Sequence, residues 1–495
     1  VHIGGRNAAL DRVRRAAPRR LDVREDLRSW VERFWQSVAQ RGRSLVAWPA
    51  ATMDASARAE ALARALLSTR GEASGAAISQ ELLAVVAGLS PDQVRRFLIF
   101  LAEQFQVDGA TLADAARGYL DSPDWAAAVR LADAAEPPRQ ELLRRMNMGA
   151  GGTRMLVTLR ENIPALMAEA PVLAALDADL RHLFSSWFNR GFLELRQIDW
   201  QTPAAILEKL IAYEAVHEIQ GWDDLRRRLA PDRRCFAFFH PALPDEPLIF
   251  VEVALVAGLA QSVGPLLACD TDEAAQRRNA AGADSAIFYS ISSCQNGLRG
   301  ISFGNFLIKQ VVEILRLELP HIRNFSTLSP VPGFRRWLDK QLADGTLPQE
   351  MVSPRAGVEL RGIAGDAAAL RAALAVDGWE RDPHVSEQLK PLLLKLCALY
   401  LTMPADKDRR RFDPVARFHL GNGARLERIN WMGNPGARGM RESWGIMVNY
   451  LYDPARIEAN HERFSLAGEV ARSREIDRLV DPGAPPLPGK RKRAA

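Results

Sequence analysis

A chain of 495 residues is too long for one ordinary hydrophobic core and implies two or three domains. Its 47% hydrophobic and 25% charged residues fall in the range of soluble globular proteins, and a formal charge of +5 is too small at this length to argue for a nucleic-acid partner without clustering on one face. The four cysteines (Cys235, Cys269, Cys294 and Cys397) form no Cys-x-x-Cys pair, which argues against a zinc site or a dense disulfide framework, and no apolar run reaches the roughly 18 residues of a membrane span.

The first 190 or so residues read as helices. Leu27, Trp30, Val31, Phe34, Trp35 and Val38 recur at helical spacing and make one wide apolar face. Ser90-Pro91-Asp92-Gln93 is a helix start, with a Ser cap, Pro at the first position and Gln placed to close a capping box; Val94, Phe97, Leu98 and Leu101 follow as its apolar set. The alanine-rich stretches Ala110 to Ala116 and Ala126 to Ala135 continue the helical character, and Met148 to Gly152 is a loop within it. With no alternating strand pattern and no convergent polar cluster, residues 1–190 are expected to form a packing or oligomerisation domain, leaving 191–495 for the chemistry. Thr202-Pro203 is expected to cap a further helix whose stripe is Ile206, Leu207, Leu210 and Ile211.

The character changes near residue 235. Cys235 to Phe239, Pro247 to Leu255 and Ser285 to Ser292 read as strands, followed by a glycine-rich turn and a helix from Asn305 to Leu317. Phe325 to Leu328 reads as a strand and Leu389 to Leu401 as a helix with Pro391 in its first turn. Ala416 to Leu420, Leu426 to Met432 and Ile446 to Tyr450 read as strands. The expected class is a helical N-terminal domain followed by a mixed α/β or α+β domain.

The glycine turn carries the most chemistry. The apolar strand Ile287-Phe288-Tyr289-Ser290-Ile291 runs into Gly297, Gly300 and Gly304, and an amphipathic helix follows through Phe306, Leu307, Val311, Ile314 and Leu315. Glycines permit close backbone approach, and free N–H groups at a helix start favour an anion such as a pyrophosphate. The spacing is neither G-x-G-x-x-G nor a Walker loop. Gln295 to Gly300 loosely resembles the pyrophosphate loop of GNAT acyltransferases, which opens a helix under coenzyme A.

Three longer stretches resemble malonyl-CoA decarboxylases: Phe288 to Ser292 through Gly304 to Lys309, Phe325 to Phe334 with its Leu328-Ser329-Pro330, and Pro414 to Leu420 with its Arg417-Phe418-His419. Gly445 to Tyr450 and His240-Pro241 ahead of Glu246-Pro247 fit as well. The resemblance spans most of residues 190 to 460 and is weaker in the helical part. It implies a GNAT-like catalytic domain, conversion of malonyl-CoA to acetyl-CoA and carbon dioxide, and homo-oligomers, commonly tetramers, joined through the helical domains. It also implies that Ser329 and His419 are catalytic and that Ser290 and Tyr452 line the site. The departure is Ser302, where some relatives carry Glu, so a supporting carboxylate is in doubt there.

The substrate so implied contains its own electron sink, the thioester carbonyl, so neither metal nor an organic cofactor is expected. His419 is expected to protonate the enolate carbon and Ser329 to orient the acyl group, with the backbone of Arg299, Gly300, Ile301, Ser302, Phe303, Gly304 and Asn305 holding the pyrophosphate. Against this stand plainer readings. Without the resemblance His419 is a core histidine of an apolar strand, Ser329 ends a strand and Tyr452 packs. His240, His321, His461, Glu246 and Glu252 are read as structural, and Arg409-Arg410-Arg411 as a solvated basic turn rather than a 3′-phosphate contact. No Gly-x-Ser-x-Gly elbow supports a hydrolase. A GNAT-type N-acyltransferase and a non-enzymatic acyl-CoA-binding protein are the rival functions. The start lacks a signal-peptide core, the basic end reads as a solvated tail without a peroxisomal address, and the Ala/Arg-rich composition suggests a bacterial cytosolic protein without a membrane or nucleic-acid partner.

Overall fold

A computed structural model of the chain describes residues 37–46, 48–49, 53–68, 71–301, 307–347, 367–403 and 413–481. Its contacts divide into two compact units. The first holds the described residues up to Phe192 together with His240–Pro244 and Gln295–Ile301, and the second holds Leu193–Phe239, Asp245–Cys294 and the described residues from 307 onward. The units are therefore interleaved in sequence. Of the residues singled out above, Leu27 to Trp35, Ser302, Phe303, Gly304, Asn305, Phe306 and Arg409 to Arg411 lie outside the described set.

The first unit is helical. Helix α1 (Pro91–Gln104) starts as its sequence dictates: Ser90 Oγ accepts from the Gln93 amide and the Gln93 side chain accepts from the Ser90 amide, a complete capping box. The alanine-rich stretches form Gly109–Asp121 and Trp125–Ala135. Helices α2 (Gly152–Leu166) and α3 (Leu173–Trp187) supply Leu156, Ile163, Leu176, Leu180 and Phe184 to a core shared with Phe97, Leu98 and Leu142. Two buried ion pairs fasten neighbouring helices to α3: Arg139, on the helix Pro138–Asn147, meets Asp179, and Arg160 of α2 meets Asp177.

The first part of the glycine turn belongs to this unit. Gly297 lies directly on α2, where a Cβ would stand 1.9 Å from the Val157 carbonyl oxygen, so no other residue fits. Arg160, while bound to Asp177 at 2.8 Å, donates to the carbonyls of Gly297 at 2.7 Å and Arg299 at 3.0 Å. Gly300 takes the left-handed conformation at φ 81°.

The second unit is built on a mixed sheet. Its strands are β1 (Glu194–Ile198), β2 (Arg233–Phe239), β3 (Ile249–Val256), β4 (Ser285–Ser293), β5 (Asn324–Thr327), β6 (Ser329–Pro330), β7 (Arg425–Asn430) and β8 (Met447–Leu451). Their order is β1-β2-β3-β4-β5-β8-β6, with β7 also on β8; β4 and β5 are parallel and the other pairs antiparallel. Helix α4 (Ala204–Tyr213) covers one face with Ile206, Leu207 and Leu210 against Ala237, Phe239 and Phe250, and α5 (Trp222–Arg228) adds Leu225.

Two irregularities shape the sheet. Glu252 pairs with Ser290 and Val253 with Phe288, so Tyr289 is an extra residue in β4, a bulge that re-aims the side chains beyond it. The parallel pairing of β4 and β5 stops at Phe288 and Thr327. Beyond that point β4 continues along β3, whereas Ser329 and Pro330 pair with Val448 and Met447 of β8. The two strands therefore part company.

The helix after the glycine turn, α6 (Leu307–Glu318), agrees with expectation over its described length, and the helical-then-mixed-sheet class is what the chain forms. Three local expectations are corrected, and one strand is new. Ala416 to Leu420 is not a strand but part of helix α8 (Pro414–Gly421). Pro391 is not in a first turn; helix α7 (Pro383–Thr402) begins eight residues earlier, capped by Asp382 with Pro383 at its first position, and carries Pro391 internally. Thr202 does not cap α4; its hydroxyl instead accepts from the Asp199 amide. Strand β1 has no counterpart among the expected strands.

Candidate active site

Local chemistry fixes the helix that bears His419. One oxygen of Asp413 accepts from the amides of Val415 and Ala416, capping α8, and Pro414 fills the first position where an N–H has no partner to lose. The other oxygen accepts from the Gly333 amide at 3.0 Å and the Tyr400 hydroxyl at 3.4 Å, tying the start of α8 to two other elements. His419 sits in the last turn, 3% exposed, its ring stacked on Tyr450 with centroids 4.8 Å apart. Tyr452 lies just past β8, held by its amide to the Phe325 carbonyl at 2.7 Å.

These elements bring three of the sequence-selected residues together. His419 Nε2 is 3.1 Å from Ser329 Oγ, and His419 Nδ1 is 2.8 Å from the Tyr452 hydroxyl. Ser329 Oγ also donates to Thr327 Oγ1 at 2.9 Å. Burial pushes the His419 imidazole down to about 3 and the Tyr452 phenol well up, so both are neutral in the middle pH range. The hydrogens can then be assigned. A buried phenol needs an acceptor for its single proton, and Nδ1 is the one it touches, so Tyr452 donates to Nδ1. The neutral ring then carries its own proton on Nε2 and donates it to Ser329 Oγ. Ser329 can accept that bond because its own hydrogen goes to Thr327.

Ser290, the fourth selected residue, lines the same cavity as Ser329 and His419. The cavity has a volume of about 300 Å³, and Val216, Phe288, Ile291, Leu328, Val415 and Phe418 supply most of its apolar wall. It opens where β4 and β6 diverge. The size suits an acyl group and the head of its thioester arm.

Sequence reasoning missed Glu214. Its carboxylate accepts from Ser290 Oγ at 2.7 and 2.9 Å, from Ser292 Oγ at 3.0 Å, and from the amides of Val216 and His217 at 2.8 Å each. Two serines two positions apart on a buried strand face the same way and need a polar partner. That much is visible in the sequence; which residue supplies it, 76 positions upstream, is not.

Nearby buried charges belong to the scaffold. Arg228 pairs with Glu252 at 2.7 Å, yet burial outweighs that attraction and pushes Glu252 up to about 8. His217, pushed down to about 4 by burial and by Arg228, lies against Tyr289, the bulged residue. The plainer readings of Glu246 and His240 also agree with their contacts: Lys209 holds Glu246 at 2.8 Å, and the His240 ring meets the Trp187 carbonyl at 3.0 Å.

Within the glycine turn, the amides of Arg299 and Ile301 donate to the carbonyls of Asn296 and Leu298. Of the three described positions expected to bind an anion, Gly300 is the one whose amide those turn bonds leave over. Among the described residues no group of three or more His, Cys, Asp or Glu side chains is arranged to hold a metal ion, and no helix is long and apolar enough to cross a membrane.

The chain is similar to known proteins along most of its length. Residues 191–489 match the malonyl-CoA decarboxylase C-terminal domain and residues 105–188 the corresponding N-terminal domain. The mitochondrial malonyl-CoA decarboxylase of Rattus norvegicus is 34% identical over 399 residues, covering 77% of this chain and 80% of the rat protein. That of Anser anser anser is 39% identical over 326 residues, 64% of each chain. The crystal structure of malonyl-CoA decarboxylase from Rhodopseudomonas palustris superposes with a TM-score of 0.77 at 48% identity, covering 86% of this chain and 99% of that one. The Agrobacterium vitis structure gives 0.76 at 48% identity, covering 85% and 99%.

Proposed function

This chain belongs to the malonyl-CoA decarboxylase family, and we propose that it converts malonyl-CoA to acetyl-CoA and carbon dioxide with His419 as proton donor and Ser329 as the group that orients the acyl chain. The observation that carries this reading is the Tyr452–His419–Ser329 chain of hydrogen bonds ending in the cavity. As the bond between the carboxyl carbon and the α-carbon breaks, its electron pair moves into the thioester carbonyl, giving an enolate, so the reaction itself supplies the electron sink. The enolate's α-carbon then takes the Nε2 proton, directly or through a water. Tyr452 lends its proton to Nδ1 in the same movement and takes it back when a water proton restores Nε2–H, so the site returns to its starting tautomer.

Neutral imidazole suits this role. A charged ring would have to survive in a buried cavity, whereas a neutral N–H can serve as the electrophile beside a developing enolate at middle pH. A general acid of this kind contributes about 10² to 10⁴ in rate. The Gly300 amide, with the residues after it, is placed in this reading against the coenzyme's pyrophosphate. Carbon dioxide release from malonyl-CoA without any acceptor tests the activity, and His419→Asn tests the role: turnover falls by at least about a hundredfold. A variant that kept its turnover number would remove His419 from the chemistry, and release that required an added amine would make this an acyltransferase.

A further inference from the structure

The two strands that part at the cavity hold serines in different electrostatic surroundings: both give their protons to the protein, Ser329 to Thr327 and Ser290 to Glu214, but a neutral imidazole stands beside one and a carboxylate beside the other. On one, Ser329 receives the Nε2 proton of His419. On the other, Ser290 faces a carboxylate. Glu214, 8% exposed, is surrounded by donors: two backbone amides and two hydroxyls. Ser292, whose oxygen already accepts from the Ala215 amide at 3.2 Å, gives its proton to Glu214 as well. A carboxylate so surrounded acts as an acceptor throughout. Both of its oxygens lie within hydrogen-bond reach of Ser290 Oγ, so the Ser290 proton is committed to it and only lone pairs remain for a ligand.

We propose that Glu214 is a positioning residue: by fixing Ser290 as an acceptor and placing a charge behind it, it makes this wall of the cavity turn away the substrate's free carboxylate and leaves that group the Ser329–His419 wall. The inference rests on the malonyl thioester reading of the cavity. A carboxylate offers acceptors only, so it gains nothing from an acceptor oxygen and is repelled by the charge. An acetyl group carries no charge, and the wall is indifferent to it. Without this bias a malonyl group could bind reversed, with its carboxylate at Ser290 and out of register with His419, a mode that occupies the enzyme without reaction.

Glu214→Gln removes the charge. The amides of Val216 and His217 hold the carboxamide oxygen, so its NH2 takes the place of the second carboxylate oxygen, beside Ser290 and Ser292. Reversed binding is then allowed. In steady-state carbon dioxide release, KM for malonyl-CoA and kcat both fall by the same factor, about three- to tenfold, and kcat/KM holds within about twofold. The competitive Ki of acetyl-CoA also holds within about twofold, because the wall does not sense an uncharged acyl group. KM and Ki are read from functioning molecules, so partial misfolding of the variant does not move them. Ser290→Ala keeps the charge while removing the hydroxyl, and its KM for malonyl-CoA falls no lower than that of the wild type. Any other pattern overturns the role: a KM that rises or stays, a fall in KM without kcat, Ki falling alongside KM, or a Ser290→Ala enzyme with a lowered KM. A wild-type enzyme that released no carbon dioxide would overturn the functional reading instead.

Discussion

Acid sensitivity tests the neutral state of His419, on which the proton assignment depends. An ordinary histidine titrates near 6.5, and burial holds His419 down at about 3. Between those values the unfolded chain binds a proton that the folded chain refuses, so stability rises with pH across the window. The contribution of the neutral ring is complete above about 6.5 and declines as pH falls from there toward about 3. At pH 5.5 the unfolded state gains RT ln(1 + 10), about 1.4 kcal/mol, and the folded state gains almost nothing. At pH 7.5 the same expression is under about 0.1 kcal/mol. His217, also held down, at about 4, adds a similar loss, so the wild type alone does not isolate His419. His419→Asn does. Denaturant unfolding followed by tryptophan fluorescence at pH 7.5 and 5.5 gives the difference of differences: wild type loses about 1.4 kcal/mol more than His419→Asn over this interval. Imidazole NMR on the folded enzyme adds a direct reading, with the His419 ring showing no titration above pH 5. Equal losses for the two proteins, or a His419 ring titrating near 6.5, would refute both the burial argument and the Nε2–H assignment built on it.

Tyr452→Phe leaves Nδ1 without its donor and frees the ring to carry its proton there instead, away from Ser329. The kcat for carbon dioxide release is expected to fall about ten- to a hundredfold with KM within about threefold; a variant within twofold of wild-type kcat would show that Tyr452 only packs. Gly297→Ala forces a methyl group into the Val157 carbonyl of α2, with Cβ and oxygen 1.9 Å apart, so the turn or the helix must move. Overpacking against backbone costs about 3 kcal/mol or more here, read as a lowered unfolding midpoint, and an unchanged midpoint would mean that the turn does not need this glycine.

How much of the fold and site is legible in the sequence varies with the range of the signal. Local signals read well where they are read fully: Ser90 to Gln93 forms the box its spelling dictates. Ala416 to Leu420 passes for a strand because its short apolar run suits a strand as well as a helix, a tie that length alone cannot break. The tiebreaker stands beside it in Asp413-Pro414, a cap with the residue favoured at a first helical position. The same kind of signal, Asp382-Pro383, moves the start of α7 ahead of Pro391. The correction at α8 bears on function, because a strand would turn alternate side chains to opposite faces. On a helix, His419 follows the cap at a fixed angle, and Asp413 sets that angle through its bonds to Gly333 and Tyr400.

The glycine turn illustrates a different limit. Glycine spacing cannot say whether a missing Cβ makes room for a ligand or for the protein itself, and for Gly297 the close neighbour is α2. Three of the four described amides beyond it, those of Leu298, Arg299 and Ile301, are spent inside the turn. Among the described positions proposed to hold the pyrophosphate, Gly300 is thus the one whose amide the turn leaves over. The cavity shows the third limit, long-range pairing. Ser290 can be chosen by resemblance, but its hydrogen-bond polarity cannot, because that property resides in Glu214 and in the bulge at Tyr289. Register and bulges are decided by the whole sheet rather than by the strand that carries them. A serine's identity thus says that a hydroxyl is present, whereas the fold decides which way its proton points and what charge stands behind it.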